Sequence, residues 1–305
     1  MPEKTEKIWM DGKFVAWDEA KVHVLVSGLH YGSGVFEGIR CYKTKKGYAV
    51  FRLKEHIDRF FNSAKIYFLN IPYTREAIVE ATKELIRVCG LRDYYIRPIA
   101  FKGVGNRGLD YRENPVHVAI AIWPWGAYLG EGARDKGIRC TFSSWVRIQN
   151  CMLPMMAKAT GQYINSSLAC IEARMKGFDE ALMLDSRGFV SEGPGENLFL
   201  VKDGVLYTPT PGSSILLGVT RDSVMKLASD LGYKVVEKDV LKEEVFLADE
   251  LFFTGTAAEV TPIVEVDHRP VGDGKVGSVT RMLSQRFFEV ISTADGRYSS
   301  WFDFV

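Results

Sequence analysis

A lysine, a tyrosine and a carboxylate stand at spacings that suit the chemistry of an aldehyde. Lys158 lies in the run Met155-Met156-Ala157-Lys158-Ala159-Thr160-Gly161-Gln162-Tyr163, and Glu192 follows in Ser191-Glu192-Gly193-Pro194-Gly195-Glu196-Asn197. A primary amine condenses with an aldehyde to a Schiff base, a phenol hydrogen-bonds a ring hydroxyl, and a carboxylate keeps a pyridine nitrogen protonated. Those are three groups that pyridoxal 5'-phosphate requires of a protein. The small residues Ala157, Ala159 and Gly161 and the apolar Leu153, Met155 and Met156 place the amine in a confined, largely dehydrated setting that disfavours the ammonium form. Taken singly, each group has a plainer reading. Most lysines are solvated surface cations, and Glu192 equally suits a carboxylate in a hairpin turn.

The elements that must position these groups follow from periodicity and turn chemistry. Asp11-Gly12 predicts a hairpin of Ile8–Met10 with Phe14 and Val15. A strand at Ala49–Leu53 precedes a helix from Glu55 to Phe68, with Ile57, Phe60, Phe61 and Ala64 at helical spacing. A second helix, Arg75–Cys89, is capped by Thr74 and ended by Gly90. Strands are expected at Tyr94–Phe101 and Val116–Trp123. The composition then shifts to glycine with aromatics over Pro124–Gly132, as a connection between domains would. Beyond it the pattern predicts a strand at Ile138–Trp145, a helix at Gln162–Lys176, a buried strand at Ala181–Leu184 and a hairpin over Asn197–Tyr207 around Asp203-Gly204. A helix at Thr220–Leu231, strands at Lys234–Val240 and Glu250–Thr254, and a last helix at Val276–Ile291 complete the chain. This is an α/β chain with mixed sheets: a small N-terminal domain over residues 1–123, a connecting loop over 124–136, and a larger C-terminal domain over 137–305.

Composition excludes several function classes. The 305 residues carry 39 basic and 38 acidic side chains, a formal charge of +1, with no basic stripe for a nucleic acid backbone. Charged residues fill the first twenty positions, so no signal-peptide core is present there, and residues 114–130, as long a stretch without a formal charge as any in the chain, are shorter than a bilayer span. A cytoplasmic protein is expected. Five widely spaced cysteines, with no C-x-x-C, read as buried reduced thiols, and no histidine shows metal-ligand spacing. No metal is expected.

The Lys158 and Glu192 segments, together with Tyr31-Gly32-Ser33-Gly34-Val35-Phe36-Glu37-Gly38-Ile39-Arg40 and Thr254-Gly255-Thr256-Ala257-Ala258-Glu259-Val260-Thr261-Pro262, resemble the branched-chain amino acid aminotransferases. These are fold-type IV pyridoxal phosphate enzymes, and the resemblance runs from about Trp9 to the C-terminus. It implies a larger domain with a barrel-like mixed sheet, and homodimers or higher assemblies, hexamers included, in which residues such as Tyr31 serve a neighbouring subunit's site. The implied activity is transamination of leucine, isoleucine and valine with 2-oxoglutarate to branched-chain 2-oxo acids and L-glutamate, by ping-pong kinetics, as in branched-chain amino acid biosynthesis. Thr160, Gln162 and Pro194 depart from the commoner family wording.

Roles carry over residue by residue. Lys158 is the implied catalytic lysine that holds the cofactor and carries the proton from the substrate Cα. Tyr163 and Glu192 hold the ring, Leu216 packs on it, and Gly195 allows close backbone approach. Gly218-Val219-Thr220-Arg221 opens a helix, whose start offers N–H groups to an anion. The resemblance assigns Val219 and Thr220 to the cofactor phosphate and adds Arg59 and Thr256. For the substrate, the backbone of Thr256 and Ala257, with Gly38 nearby, suits the α-carboxylate. Tyr31, Phe36, Tyr128 and Tyr163 suit an apolar wall, and Tyr95 with Arg97 suits the distal carboxylate of glutamate. Arg59 alone would equally be a surface ion pair, and Arg97 the wet face of an alternating strand. One methylene in an apolar pocket discriminates by only about 1–3 kcal/mol, which predicts comparable use of the three branched substrates. A D-amino acid aminotransferase usually has aspartate where Ser33 stands, and an aminodeoxychorismate lyase departs from the Gly161–Tyr163 and Thr254–Ala258 patterns. Both remain as alternatives on the same fold.

Overall fold

The Asp11-Gly12 turn forms as its residue types dictate. Both residues have positive φ, 47° and 85°, and Met10 pairs with Lys13 across it, in register with Lys7 opposite Ala16. That region of φ carries no Cβ penalty for glycine and a tolerable one for aspartate. The computed structural model describes residues 3–106, 108–126, 129–130, 132–294 and 296–305. No helix among them is long and apolar enough to cross a membrane.

The chain divides into two compact units: Met1–Trp125 with Ala157–Gly161 and Val290–Val305, and Gly126–Met156 with Gln162–Glu289. Neither is one stretch of chain. A reading of one contiguous domain after another leaves 157–161 with the later residues, but this segment hydrogen-bonds to the strand Gly34–Phe36, where Phe36 N–H donates to Lys158 O and Val35 bridges Ala159.

In the first unit one sheet runs, in spatial order, Phe302–Phe304, Gly47–Phe51, Ile39–Thr44, Tyr94–Lys102, Val116–Trp123, Lys7–Met10 and Lys13–Ala16, with Gly34–Phe36 also paired to Tyr94–Lys102. The pairs are antiparallel. Two helices, Leu53–Ile66 and Arg75–Cys89, supply the rest of the core. Leu53, Ile57, Phe60 and Ala64 recur at helical spacing on one buried face and meet Ile78 and Leu85 from the second helix. Each of these side chains larger than alanine contributes roughly 1.5–3 kcal/mol by leaving water. The second helix follows its sequence signals: Thr74 Oγ1 accepts from Ala77 N–H at 3.2 Å, and Gly90 ends it at positive φ. The first begins two residues earlier than expected. Arg52 takes φ 51°, ψ 42°, which breaks the strand at Phe51 and lets Leu53 turn its side chain into the core.

In the second unit the sheet order is Val235–Lys238, Val205–Pro209, Asn197–Lys202, Glu250–Gly255, Glu259–Val266, Ile138–Phe142 and Glu180–Leu182, with Arg269–Pro270 on the fifth of these. The sheet is mixed: the first pair and the last two pairs are parallel, the central ones antiparallel. Parallel pairs need crossovers, and the helices Val219–Asp230 and Tyr163–Met175 provide two of them. Leu198, Leu200, Leu251, Phe253 and Ile263 form the buried centre.

The strand expected over Ile138–Trp145 stops at Phe142. Glu172 accepts from the Ser143 hydroxyl at 2.6 Å and from Ser144 N–H at 2.9 Å, drawing the chain out of the ladder. The cysteines do not all behave as expected. All five are free, but Cys151, in a turn, is exposed, and Cys89 and Cys170, on helices, are only half-buried, their thiols meeting Lys7 O and Glu180 Oε2. Among the described residues no group of side chains could hold a metal ion.

Candidate active site

The residues expected to act fall in both units, and each set is built within its own. Lys158 is pinned at its backbone before its side chain does anything. Its N–H donates to Ser63 Oγ, 2.9 Å, from the helix Leu53–Ile66, and its carbonyl accepts from Phe36 N–H at 3.0 Å. Ala157 and Ala159 on either side are buried. Thr160 Oγ1 lies 2.9 Å from Gly32 O and 3.2 Å from Gly34 O, closing the segment onto the neighbouring strand. The half-buried lysine Nζ stands 5.0 Å from the centroid of the Phe36 ring, within reach of the ring's negative face.

Arg59 has a partner the sequence reading did not name. Its Nε and one terminal nitrogen donate to the two oxygens of Glu37 at 2.6 and 2.9 Å, and Glu37 also meets His56 Nδ1 at 2.8 Å and Gly38 N–H at 3.3 Å. The ion pair anticipated for Arg59 is therefore real, but it is made to a fully buried carboxylate. Burial would raise the Glu37 carboxyl, yet the Arg59 charge and hydrogen bonds, with His56, hold it well below the usual range. Burial lowers His56 in turn, opposed by Glu37 and reinforced by the charges of Arg59 and Lys158.

Tyr95 and Arg97 project to the same face of the strand Tyr94–Lys102, two residues apart. One terminal nitrogen of Arg97 donates to Tyr95 Oη at 3.1 Å, and the guanidinium carbon lies 4.8, 5.3 and 5.7 Å from the rings of Phe36, Tyr95 and Trp123. Arg97 is half-buried, not on a wet face, and its Nε has no partner among the described residues. Gly38 touches the same group: a Cβ there would lie 2.1 Å from Tyr95 Oη, so any other residue would have to push the tyrosine aside. Tyr31, at the end of the short helix Ser27–Tyr31, is 50% exposed. Tyr128 lies outside the described residues.

In the second unit Glu192 is buried within a closed set of donors. Arg147 donates to one oxygen at 2.6 Å, and Asn197 Nδ2 and Leu216 N–H donate to the other at 2.8 and 3.1 Å. Asn197 Nδ2 also reaches Leu216 O at 2.8 Å, tying Leu216 to the carboxylate. Arg147 extends the chain of contacts to Ser166 Oγ, 2.8 Å away, on the helix that Tyr163 begins. This network joins the buried Glu192 to the helix that the half-buried Tyr163 begins.

The helix Val219–Asp230 starts with Gly218 as its N-cap and no side-chain cap, with Val219 and Thr220 buried at its first turn. Backbone N–H groups at a helix start can bind an anion. The turn after the strand Glu250–Gly255 meets the Glu192 turn, since a Cβ on Gly255 would stand 3.3 Å from Gly195 O. Thr256 and Ala257 follow, both half-buried, and Ala257 lines a cavity of about 240 Å³ with Leu129, Arg134 and Glu259 among others. Glu37, His56, Arg147 and Asn197 received no role from the sequence. Glu37 and Asn197 lay inside the motif segments, whereas His56 and Arg147 carry no local signal beyond being charged or polar.

Residues 34–266 match the amino-transferase class IV family. A branched-chain-amino-acid aminotransferase of Pseudomonas aeruginosa is 48% identical over 301 residues, 99% of this chain and 98% of that protein. The crystal structure of an Escherichia coli branched-chain amino acid aminotransferase superposes with a TM-score of 0.96 at 46% identity, covering 98% of this chain and 99% of that one. That of the T.th. branched-chain amino acid aminotransferase complexed with N-(5'-phosphopyridoxyl)-L-glutamate gives 0.94 at 46% identity, over 99% of both chains.

Proposed function

We propose that this chain, which belongs to the class IV aminotransferases and within them to the branched-chain-amino-acid aminotransferases, transfers the amino group of leucine, isoleucine and valine to 2-oxoglutarate with pyridoxal 5'-phosphate as cofactor. The observation that carries the reading is the lysine itself: a side chain whose backbone is fixed on both sides, set beside an aromatic ring and flanked by buried alanines. The donor sets suit the cofactor. In the first unit Arg59 suits a phosphate; in the second the helix start at Gly218–Thr220, which has no side-chain cap, suits an anion, Glu192 suits a protonated ring nitrogen, and a Cβ on Gly195 would meet nothing within 4 Å.

When bound, pyridoxal phosphate supplies a sink for the electron pair left as the substrate Cα–H bond breaks. Lys158 Nζ takes the proton from Cα, acting as the general base at that atom. Glu192 keeps its charge in place through Arg147, Asn197 and Leu216 N–H, so a cationic ring nitrogen opposite it is favoured. The backbone of Thr256 and Ala257 takes the α-carboxylate. The rings of Phe36, Tyr95 and Trp123 suit an aliphatic side chain, while the Arg97 guanidinium among them suits the second carboxylate of glutamate. One face can therefore serve both substrates. The phosphopyridoxyl-glutamate complex of the T.th. relative supports glutamate as the second partner. Exposed Tyr31, Leu29 and Val24 support a homodimer or higher assembly, and the free thiols a cytoplasmic setting.

The test is direct. Full-length protein supplied with pyridoxal phosphate is expected to show a visible absorption band that Lys158→Ala removes, and borohydride should fix the cofactor on Lys158, located by mass spectrometry. L-Leucine with 2-oxoglutarate should yield L-glutamate. A colourless protein, or faster turnover of D-alanine than of L-leucine, would overturn the assignment.

A further inference from the structure

Glu37, so far without a role, is a costly group to bury. Its side chain is wholly inaccessible, and taking a carboxylate out of water costs several kcal/mol even when it is paired. An apolar residue at that position would serve the core better. Nor does the pair help attract an anion, because the negative charge of Glu37 partly cancels that of Arg59. What it does supply is direction. A guanidinium is a planar fork of five N–H donors, and the Nε edge of Arg59 is committed to both Glu37 oxygens, 2.6 and 2.9 Å away, which fixes the plane as well as the position. Glu37 is itself held from three sides: His56 Nδ1 at 2.8 Å, Gly38 N–H at 3.3 Å, and its own backbone N–H on Pro98 O at 2.9 Å. His56 lies three residues before Arg59 on the same helix face.

We propose that Glu37 and His56 are positioning residues that aim Arg59 at the phosphate of the cofactor. The inference rests on the reading that Arg59 binds that phosphate. The chain Gly38–Glu37–His56–Arg59 welds the strand segment carrying Phe36 to the helix whose Ser63 holds Lys158, so the amine and the phosphate anchor keep a constant separation.

The test compares two ligands that differ only by the phosphate. Full-length protein stripped of cofactor is titrated with pyridoxal 5'-phosphate and with pyridoxal, followed by absorbance, and the ratio of the two dissociation constants is read. Glu37→Gln is expected to lower the preference for the phosphorylated ligand about tenfold, the scale of a small misalignment at a binding group. Arg59→Ala should lower it at least as far, and Glu37→Gln should add nothing in the Arg59→Ala background. A role in folding alone would weaken both ligands alike and leave the ratio unchanged. An unchanged ratio in Glu37→Gln, or a raised one, overturns the proposal. Should that variant not fold, His56→Ala decides: it keeps both charges, and a fall of about threefold supports the proposal while no fall sinks it. If Arg59→Ala itself keeps the wild-type ratio, the phosphate role of Arg59 is wrong. If the wild-type protein binds neither ligand, the proposed function is wrong.

Discussion

Replacing Arg147 by methionine would strand the charge on Glu192. Methionine fills much of the same volume and can lie against Met183, whose sulfur is already 4.0 Å from the guanidinium, so packing changes little while charge changes by one. Lost are the 2.6 Å bond to Glu192 and the 2.8 Å bond to Ser166. Breaking a buried pair from one side costs about 3–5 kcal/mol. Asn197 and Leu216 N–H still serve the other oxygen, which holds the loss to the lower end, about 3 kcal/mol. At about 2–4 °C per kcal/mol, the thermal midpoint followed by circular dichroism should fall by roughly 6–12 °C. Adding Glu192→Gln removes the stranded charge and should restore about 1–2 kcal/mol relative to Arg147→Met. A double variant as unstable as the sum of its two single changes, or a loss below about 1 kcal/mol in Arg147→Met, would refute the view that the pair carries a buried charge.

Three further outcomes follow from the geometry. Gly38→Ala places a methyl where Tyr95 Oη stands, and the displacement of Tyr95 and Arg97 should weaken 2-oxoglutarate by about tenfold, read from the rate of that half-reaction; an unchanged half-reaction would separate Gly38 from the substrate face. Arg97→Lys loses the planar stacking on Phe36, Tyr95 and Trp123, so the 2-oxoglutarate half-reaction should slow at least about tenfold more than the leucine half-reaction; equal effects would remove Arg97 from the distal carboxylate. Burial raises Glu180, against the Ala181 N–H, the Cys170 thiol and Arg174, with Asp179 adding to the rise. Above the ordinary value of 4.5 the unfolded chain releases this proton while the folded chain keeps it, so stability falls as pH rises through the folded value. Glu180→Gln should flatten that fall, by up to about 1.4 kcal/mol per pH unit, in unfolding midpoints measured from pH 5 to 8; an identical slope would show that Glu180 does not titrate.

Local chemistry made much of the chain legible. The helix Arg75–Cys89 and the strand Val116–Trp123 have the bounds their caps and apolar spacing predict. Where nonlocal contacts compete with propensity the reading fails. The strand Glu259–Val266 went unseen because it contains Pro262, which argues against a central strand, yet it pairs along both sides. Pro262 stands opposite Phe252, one position before the pairing with Ile138 begins at Ile263. The strand Phe302–Phe304 went unseen because three residues carry no periodicity, and only its pairing with Phe51, Val50 and Ala49 makes it one.

The amine and the carboxylate were readable because each sits in a short run of small residues and glycines that announces a close approach within a few positions of itself. The side chains that hold the site in shape were not. Glu37 meets His56 and Arg59 across 19 and 22 residues, and Arg147 meets Glu192 across 45. A charge on a helix or loop looks the same in a sequence whether it ends in water or against a buried partner. Which of the two occurs is a property of the folded core, where an ion must find its opposite or remain unfolded in solvent.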